Sequence, residues 1–121
     1  MKTPGPDHPI DLMQEGHRLR VQANGHVIAD STAVVTLREA DYPPVSYFPR
    51  EDVERAFLSQ TAKSTHCPYK GDATYYSIFI DGVLLENVAW SYEAPYPAME
   101  TIKNLLAFYS DKVDIYRLDE G

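Results

Sequence analysis

Two short turn signals decide most of what this chain can become. Arg18 to Ala23 alternates Leu19 and Val21 with Arg18, Arg20 and Gln22, Asn24-Gly25 follows, and His26 to Asp30 returns. Asn-Gly accepts the positive φ angles of a two-residue hairpin loop, and period-two alternation gives each flanking segment one apolar and one polar face. Asp81-Gly82 repeats the device between the β-branched and aromatic run Ala73 to Ile80 and the run Val83 to Tyr92. Ala33 to Leu37 and Val45 to Phe48 read as further strands, the second entered after the Pro43-Pro44 break. Val113 to Leu118 alternates once more and predicts a closing strand. These hairpins and short strands predict a mainly β, mostly antiparallel domain.

Two short helices are expected beside the strands. Pro49 fixes φ where a helix can begin, Glu51 and Asp52 suit its first turn, and Val53, Ala56 and Phe57 fall on one stripe, which predicts a helix over about 50–59. Ala98, Ile102, Leu105 and Tyr109 form a second stripe after Pro97, which predicts a helix over about 97–109. The polar stretch Ser59 to Thr65 reads as a loop. Residues 1–16 show little periodicity and read as an extended N-terminal arm, with regular structure starting at Arg18 and a single domain over 17–121.

Composition removes whole classes of function. Eleven basic against eighteen acidic side chains give a net charge of −7, which repels phosphate backbones and anionic lipid surfaces. The arginines and lysines are scattered among acids, so nucleic acid is not an expected partner. No apolar run approaches the roughly eighteen residues of a spanning helix, and no membrane association is expected. The N-terminal run Met1 to Pro9 holds three prolines and no apolar stretch, so it does not read as a secretory signal; a cytoplasmic location is the default expectation.

Chemistry concentrates in Thr65-His66-Cys67-Pro68-Tyr69-Lys70-Gly71-Asp72-Ala73-Thr74-Tyr75-Tyr76-Ser77, which contains the sole cysteine of the chain. Cys67 is a candidate nucleophile if a cation such as His66 or Lys70 lowers its pKa; equally, a free cysteine is a small hydrophobe that cores bury. His66 reaches Cys67 only if the segment turns there, because neighbours on a strand face opposite sides. Lys70 reads as a solvated turn residue or, less simply, as the cation of one anionic pocket. Lys70-Gly71 lacks the glycine spacing and the following Ser or Thr of a phosphate loop. Asp72 and Asp81 stand singly in turn contexts, not as the paired carboxylates that would hold magnesium for nucleotide chemistry.

Aromatic residues form the second constellation. Tyr47, Tyr69, Tyr75, Trp90 and Tyr92 are candidate ligand-binding residues, because ring faces suit a planar or cationic ligand and hydroxyls supply polar handles. Alternation halves the set, since Tyr75 and Tyr76 must face opposite sides of a strand. The four histidines, His8, His17, His26 and His66, show no metal-ligand spacing, and one cysteine cannot build a zinc knuckle. No metal and no cofactor is expected.

Three ordered motifs then suggest kinship: Tyr47-Phe48-Pro49-Arg50-Glu51-Asp52-Val53, His66 to Ser77, and Ala89-Trp90-Ser91-Tyr92-Glu93 with Pro95, supported by His8-Pro9-Ile10 and Ala107-Phe108-Tyr109. Together they resemble the bacterial "domain of unknown function 427" family. The resemblance implies a β-tent, or Mss4-like, fold of two antiparallel sheets splayed from a common edge. Architectural relatives include zinc-bearing modules, B-type methionine sulfoxide reductases and domains with aromatic cages, but this chain lacks their paired CxxC knuckles. A family label hints at nucleotidyl transfer, and no residues here carry it.

Three functions follow as expectations. The first is a binding module whose cleft surrounds the His-Cys-Pro-Tyr-Lys-Gly motif and takes a small or modified ligand. The second is a thiol enzyme, redox or acyl-transferring, with Cys67 as nucleophile and His66 beside it. The third is a scaffold that pairs with a second copy of itself through edge strands.

Overall fold

Among the described residues the chain forms ten strands: β1 (Ile10–Gln14), β2 (Arg18–Ala23), β3 (His26–Ser31), β4 (Val35–Glu39), β5 (Val45–Tyr47), β6 (Leu58–Cys67), β7 (Gly71–Ile80), β8 (Val83–Ser91), β9 (Ala107–Phe108) and β10 (Asp114–Leu118). The structure, a computed structural model, describes residues 1–118. The end of the expected domain, 119–121, lies outside the described residues. Both turn signals act as the sequence predicts. Asn24 and Gly25 take φ of 49° and 81° between β2 and β3, and Asp81 and Gly82 take 52° and 77° between β7 and β8.

The strands form three antiparallel sheets, ordered β1-β4-β5, β10-β2-β3 and β6-β7-β8-β9. This corrects the expectation of two. Regular structure begins at Ile10 instead of Arg18, because β1 lies antiparallel against β4 with Leu12 opposite Leu37. The four-stranded sheet is the centre of the molecule. Tyr76, Ile78 and Ile80 of β7 pack with Val21, Ile28 and Val88 in one core, while Ala73 and Tyr75 pack with Val35, Leu37 and Tyr47 in the other. Two cores on opposite faces explain why β7 is apolar on both sides where a half-exposed strand would alternate.

Neither expected helix forms. Over 50–59 there are two 3-10 turns, Arg50–Asp52 and Arg55–Phe57, separated by extended backbone at Val53. Val53 bridges to Ala29, and the Glu54 N–H donates to the Ile28 carbonyl at 2.7 Å, so this stretch serves β3 instead of its own helix. One stripe of three apolar residues is too short to offset helix nucleation. Over 97–109, a 3-10 turn spans Pro97–Ile102 and is already broken at Met99. Asn104 then takes φ of 64°, and its N–H donates to the Tyr92 carbonyl at 3.0 Å. Ala107 and Phe108 pair with Trp90 and Ala89 as an edge strand.

The expected loop Ser59 to Thr65 is also a strand. It is the exposed edge of the central sheet, interrupted by an irregularity between Gln60 and Ser64. Its polarity reflects solvent on the free edge, not a lack of pairing. Asn87, with φ of 51°, marks a second bulge, where its N–H donates to Ser77 Oγ at 2.9 Å and its side chain accepts from Thr61 at 2.7 Å. Among the described residues no helix is long and apolar enough to cross a membrane.

Phe48 ties the elements together. It is fully buried, meets Phe108 edge-on at 5.8 Å, and exchanges backbone hydrogen bonds of 2.7 and 2.8 Å with Leu106. Phe48→Ala is expected to cost about 3–5 kcal/mol in equilibrium urea unfolding, since it removes a fully enclosed ring. Phe79→Ala, at a position 56 % exposed, is expected to cost less than about 1 kcal/mol. Equal losses for the two rings would contradict this assignment of the core.

Candidate functional site: a cleft over Lys70 and Glu39

The turn between β6 and β7 sets the site. Cys67 pairs with Gly71, leaving Pro68, Tyr69 and Lys70 to reverse the chain. Gly71 has φ of 109°, and a Cβ there would stand 3.5 Å from the Ala94 carbonyl oxygen and 3.6 Å from Pro95 Cα. The Tyr96 N–H donates to the Lys70 carbonyl at 3.0 Å, so the segment after β8 closes over this turn. The backbone angle is what favours glycine here, since a Cβ would meet these neighbours at ordinary contact distance.

Lys70 is consequently not a solvated turn residue, the simpler of its two sequence readings. It is 7 % exposed, and its ammonium forms an ion pair with the Glu39 carboxylate at the end of β4. The same Nζ lies 3.7 Å from Cys67 Sγ and 6.0 Å from the centroid of the Tyr92 ring. The other oxygen of Glu39 meets His8 Nε2 at 2.7 Å, and the His8 ring stacks on Tyr69 with centroids 4.1 Å apart. The Lys2 N–H donates to the Pro68 carbonyl at 2.7 Å, which lays the N-terminal segment across the turn.

Burial disfavours the charged form of Glu39, but hydrogen bonds from Lys70 and then His8 outweigh it, so its pKa lies below the ordinary carboxylate value. Burial raises the pKa of Tyr47 and of Tyr92, with nearby negative groups adding to it. Tyr109 is pushed up to about 12 by burial and by its hydrogen bond with Tyr75. All three phenols are neutral donors at physiological pH.

Above the ion pair opens a cleft of about 820 Å³. Lys70, Glu39 and Tyr92 contribute its polar base, Pro43, Pro44, Val45, Trp90 and Tyr109 its apolar wall, and His8, His66, Cys67 and Tyr69 its remaining rim. An inner recess of about 200 Å³ reaches Tyr47 and Tyr75, and shares Lys70, Trp90, Tyr92 and Tyr109 with the cleft. The indole N–H of Trp90 points to the Tyr47 hydroxyl at 3.4 Å, and the indole lies 4.6 Å from the Tyr109 ring at 45°. The Tyr75 hydroxyl meets Thr65 Oγ1 at 3.0 Å.

Every candidate residue read from the sequence thus borders the cleft or its recess, with unequal parts. Cys67 is half-buried beside Lys70. His66 is exposed, and its Nδ1 meets Asp72 at 2.7 Å while its ring stands edge-on to Tyr96. Strand alternation keeps these neighbours apart. Sequence reasoning missed Glu39, His8, Tyr42 and Tyr109, as well as the Pro43-Pro44 wall. Glu39 lies 31 residues from each of its partners, so no local pattern announces it. Among the described residues no group of three His, Cys, Asp or Glu side chains is placed to hold a metal ion.

The defining pattern of the family described as a domain of unknown function, DUF427, matches residues 11–119, and the chain belongs to that family. A comparison with curated proteins found no match to this chain.

Glu39 gives the site one pH dependence with a defined sign. Because its folded pKa is depressed, its contribution to stability is complete above its ordinary value of 4.5 and is lost as pH falls through the lowered value. Thermal unfolding of the wild type is expected to fall more steeply below pH 4.5 than that of Glu39→Gln. At neutral pH, Lys70→Met is expected to destabilise by about 3–5 kcal/mol, and Glu39→Gln/Lys70→Met by less, since the double variant leaves no uncompensated carboxylate. A double variant weaker than Lys70→Met alone would show that the ion pair does not govern the site.

Proposed function

We propose that this protein is a binding module that holds a small planar ligand non-covalently in the cleft over Lys70 and Glu39. One observation carries the reading: a cleft of about 820 Å³, walled by proline and aromatic side chains, converges on a buried pair of polar groups. Small-molecule sites have this size and this division of labour, with apolar walls supplying affinity and a few fixed polar groups supplying orientation. The β-tent architecture implied by the family motifs belongs to the same reading: the antiparallel sheets are open and packed on shared cores, though there are three of them and not two. A reducing, cytoplasmic setting suits the free thiol of Cys67.

Thiol chemistry is the second reading, favoured by the 3.7 Å contact between Lys70 Nζ and Cys67 Sγ. An ammonium at that distance stabilises a thiolate. Here it is shared with Glu39, which weakens its pull on the sulfur.

Trp90 is the sole tryptophan, so one indole N–H resonance reports on the cleft without interference. Titrating the ¹⁵N-labelled chain with bicyclic aromatic fragments is expected to shift that resonance saturably and reversibly, with no mass added to the protein. Shifts that fail to saturate would sink the binding reading. An adduct on Cys67 that survives dilution would favour the thiol reading.

A further inference from the structure

We propose that the ligand of this cleft is an uncharged planar molecule that directs a carbonyl oxygen at the Tyr92 hydroxyl and the Lys70 ammonium. The proposal rests on the reading of the cleft as a small-molecule site and adds the polarity of the molecule it takes. Tyr92 is the observation that carries it. Its side chain is 8 % exposed and borders both the cleft and the recess, yet its hydroxyl has no hydrogen-bonding partner among the described residues. A hydroxyl with no protein partner on the lining of a cavity has a donor to give to an acceptor that enters it.

Lys70 supplies the second donor. An ammonium has three N–H groups; one serves Glu39 and one is directed at Cys67 Sγ, which leaves one for a ligand. Its charge, however, is already paired. Glu39 is held on one oxygen by Lys70 and on the other by His8, so the Lys70 ammonium meets a ligand with its counter-ion in place. An anionic ligand would add a second negative charge beside Glu39, with Asp111 also on the rim. A cationic ligand would face Lys70. Either would leave a charge uncompensated among apolar walls, whereas a carbonyl oxygen needs only the donors that are present. Planarity follows from Trp90, Tyr109 and the two prolines, which present flat surfaces along the same cleft.

Four probes of similar size separate the possibilities on the full chain, read at the Trp90 indole resonance: quinolin-2-one, naphthalene, 2-naphthoate and N-methylquinolinium. Quinolin-2-one is expected to bind at least tenfold more tightly than either charged probe. Tyr92→Phe is expected to weaken quinolin-2-one about three- to tenfold, the loss of one hydrogen bond, and to leave naphthalene unchanged. A charged probe that matches or exceeds quinolin-2-one overturns the proposal. So does undiminished quinolin-2-one binding in Tyr92→Phe, which would assign the hydroxyl to water. The charge series on the wild type decides the matter even if the variant fails to fold. Saturable binding with the wrong order of charge refutes the polarity alone, while no saturable binding by any probe refutes the small-molecule reading and this proposal together.

Discussion

The ion pair between Lys70 and Glu39 holds together parts of the chain that nothing local would bring into contact. Glu39 ends β4, Lys70 ends the turn before β7, and the N-terminal segment is fastened to both through His8 and Tyr69. Taking either charge from water alone would cost several kcal/mol. Each charge is therefore tolerable only with the other in place, and the positions of two different sheets become mutually dependent. Gly71 supports the arrangement through its positive φ, which carries the chain from Lys70 into β7 beneath Ala94 and Pro95.

The family motifs divide between this site and a separate lock. Arg50, Tyr76 and Glu93 each come from a different motif, and they meet away from the cleft. Arg50 reaches Glu93 at 2.7 Å, the Tyr76 hydroxyl donates to the same carboxylate at 2.7 Å, and Arg50 Nε donates to the Asn104 carbonyl at 2.6 Å. Burial opposes ionisation of Glu93, while its bonds to Tyr76, Thr74 and Arg50 hold its pKa below the ordinary value. This network joins the turn after β5 to the middle of β7 and the end of β8. Cys67, Lys70, Trp90 and Tyr92 serve the cleft, often from positions adjacent in sequence to the lock. Alternation along the strands is what sends neighbours to different tasks, as Tyr75 and Tyr76 show by entering opposite cores.

That alternation also explains what could be read from the sequence. The hairpins at Asn24-Gly25 and Asp81-Gly82 were legible because turn geometry is a local property of two residues. Helices over 50–59 and 97–109 were not excluded by any local rule, since their apolar spacings fit a helical stripe; pairing of Val53 with β3 and of Ala107-Phe108 with β8 overrode them. Asn104 itself was the available warning, because asparagine favours the left-handed conformation that ends helices and takes it here. The Cys67 to Lys70 half of the site was visible as a dense cluster. Its other half was not, because Glu39 and the proline wall depend on which sheet β4 and β5 join, and sheet order is a long-range outcome.

His8, His26 and His66 each meet a carboxylate, Glu39, Asp81 and Asp72 respectively, at 2.7 to 2.8 Å. These three carboxylates are thus divided among histidine partners at three separate places. Of these three, Glu39 borders the cleft, as does Asp111, and both oxygens of Glu39 are occupied. Recruiting it as a base or ligand would strand Lys70, the costliest charge in the molecule to leave alone. What the cleft retains is a set of neutral or neutralised donors beneath aromatic walls. That combination of apolar walls and a few placed donors is what the proposed binding role requires of the cleft.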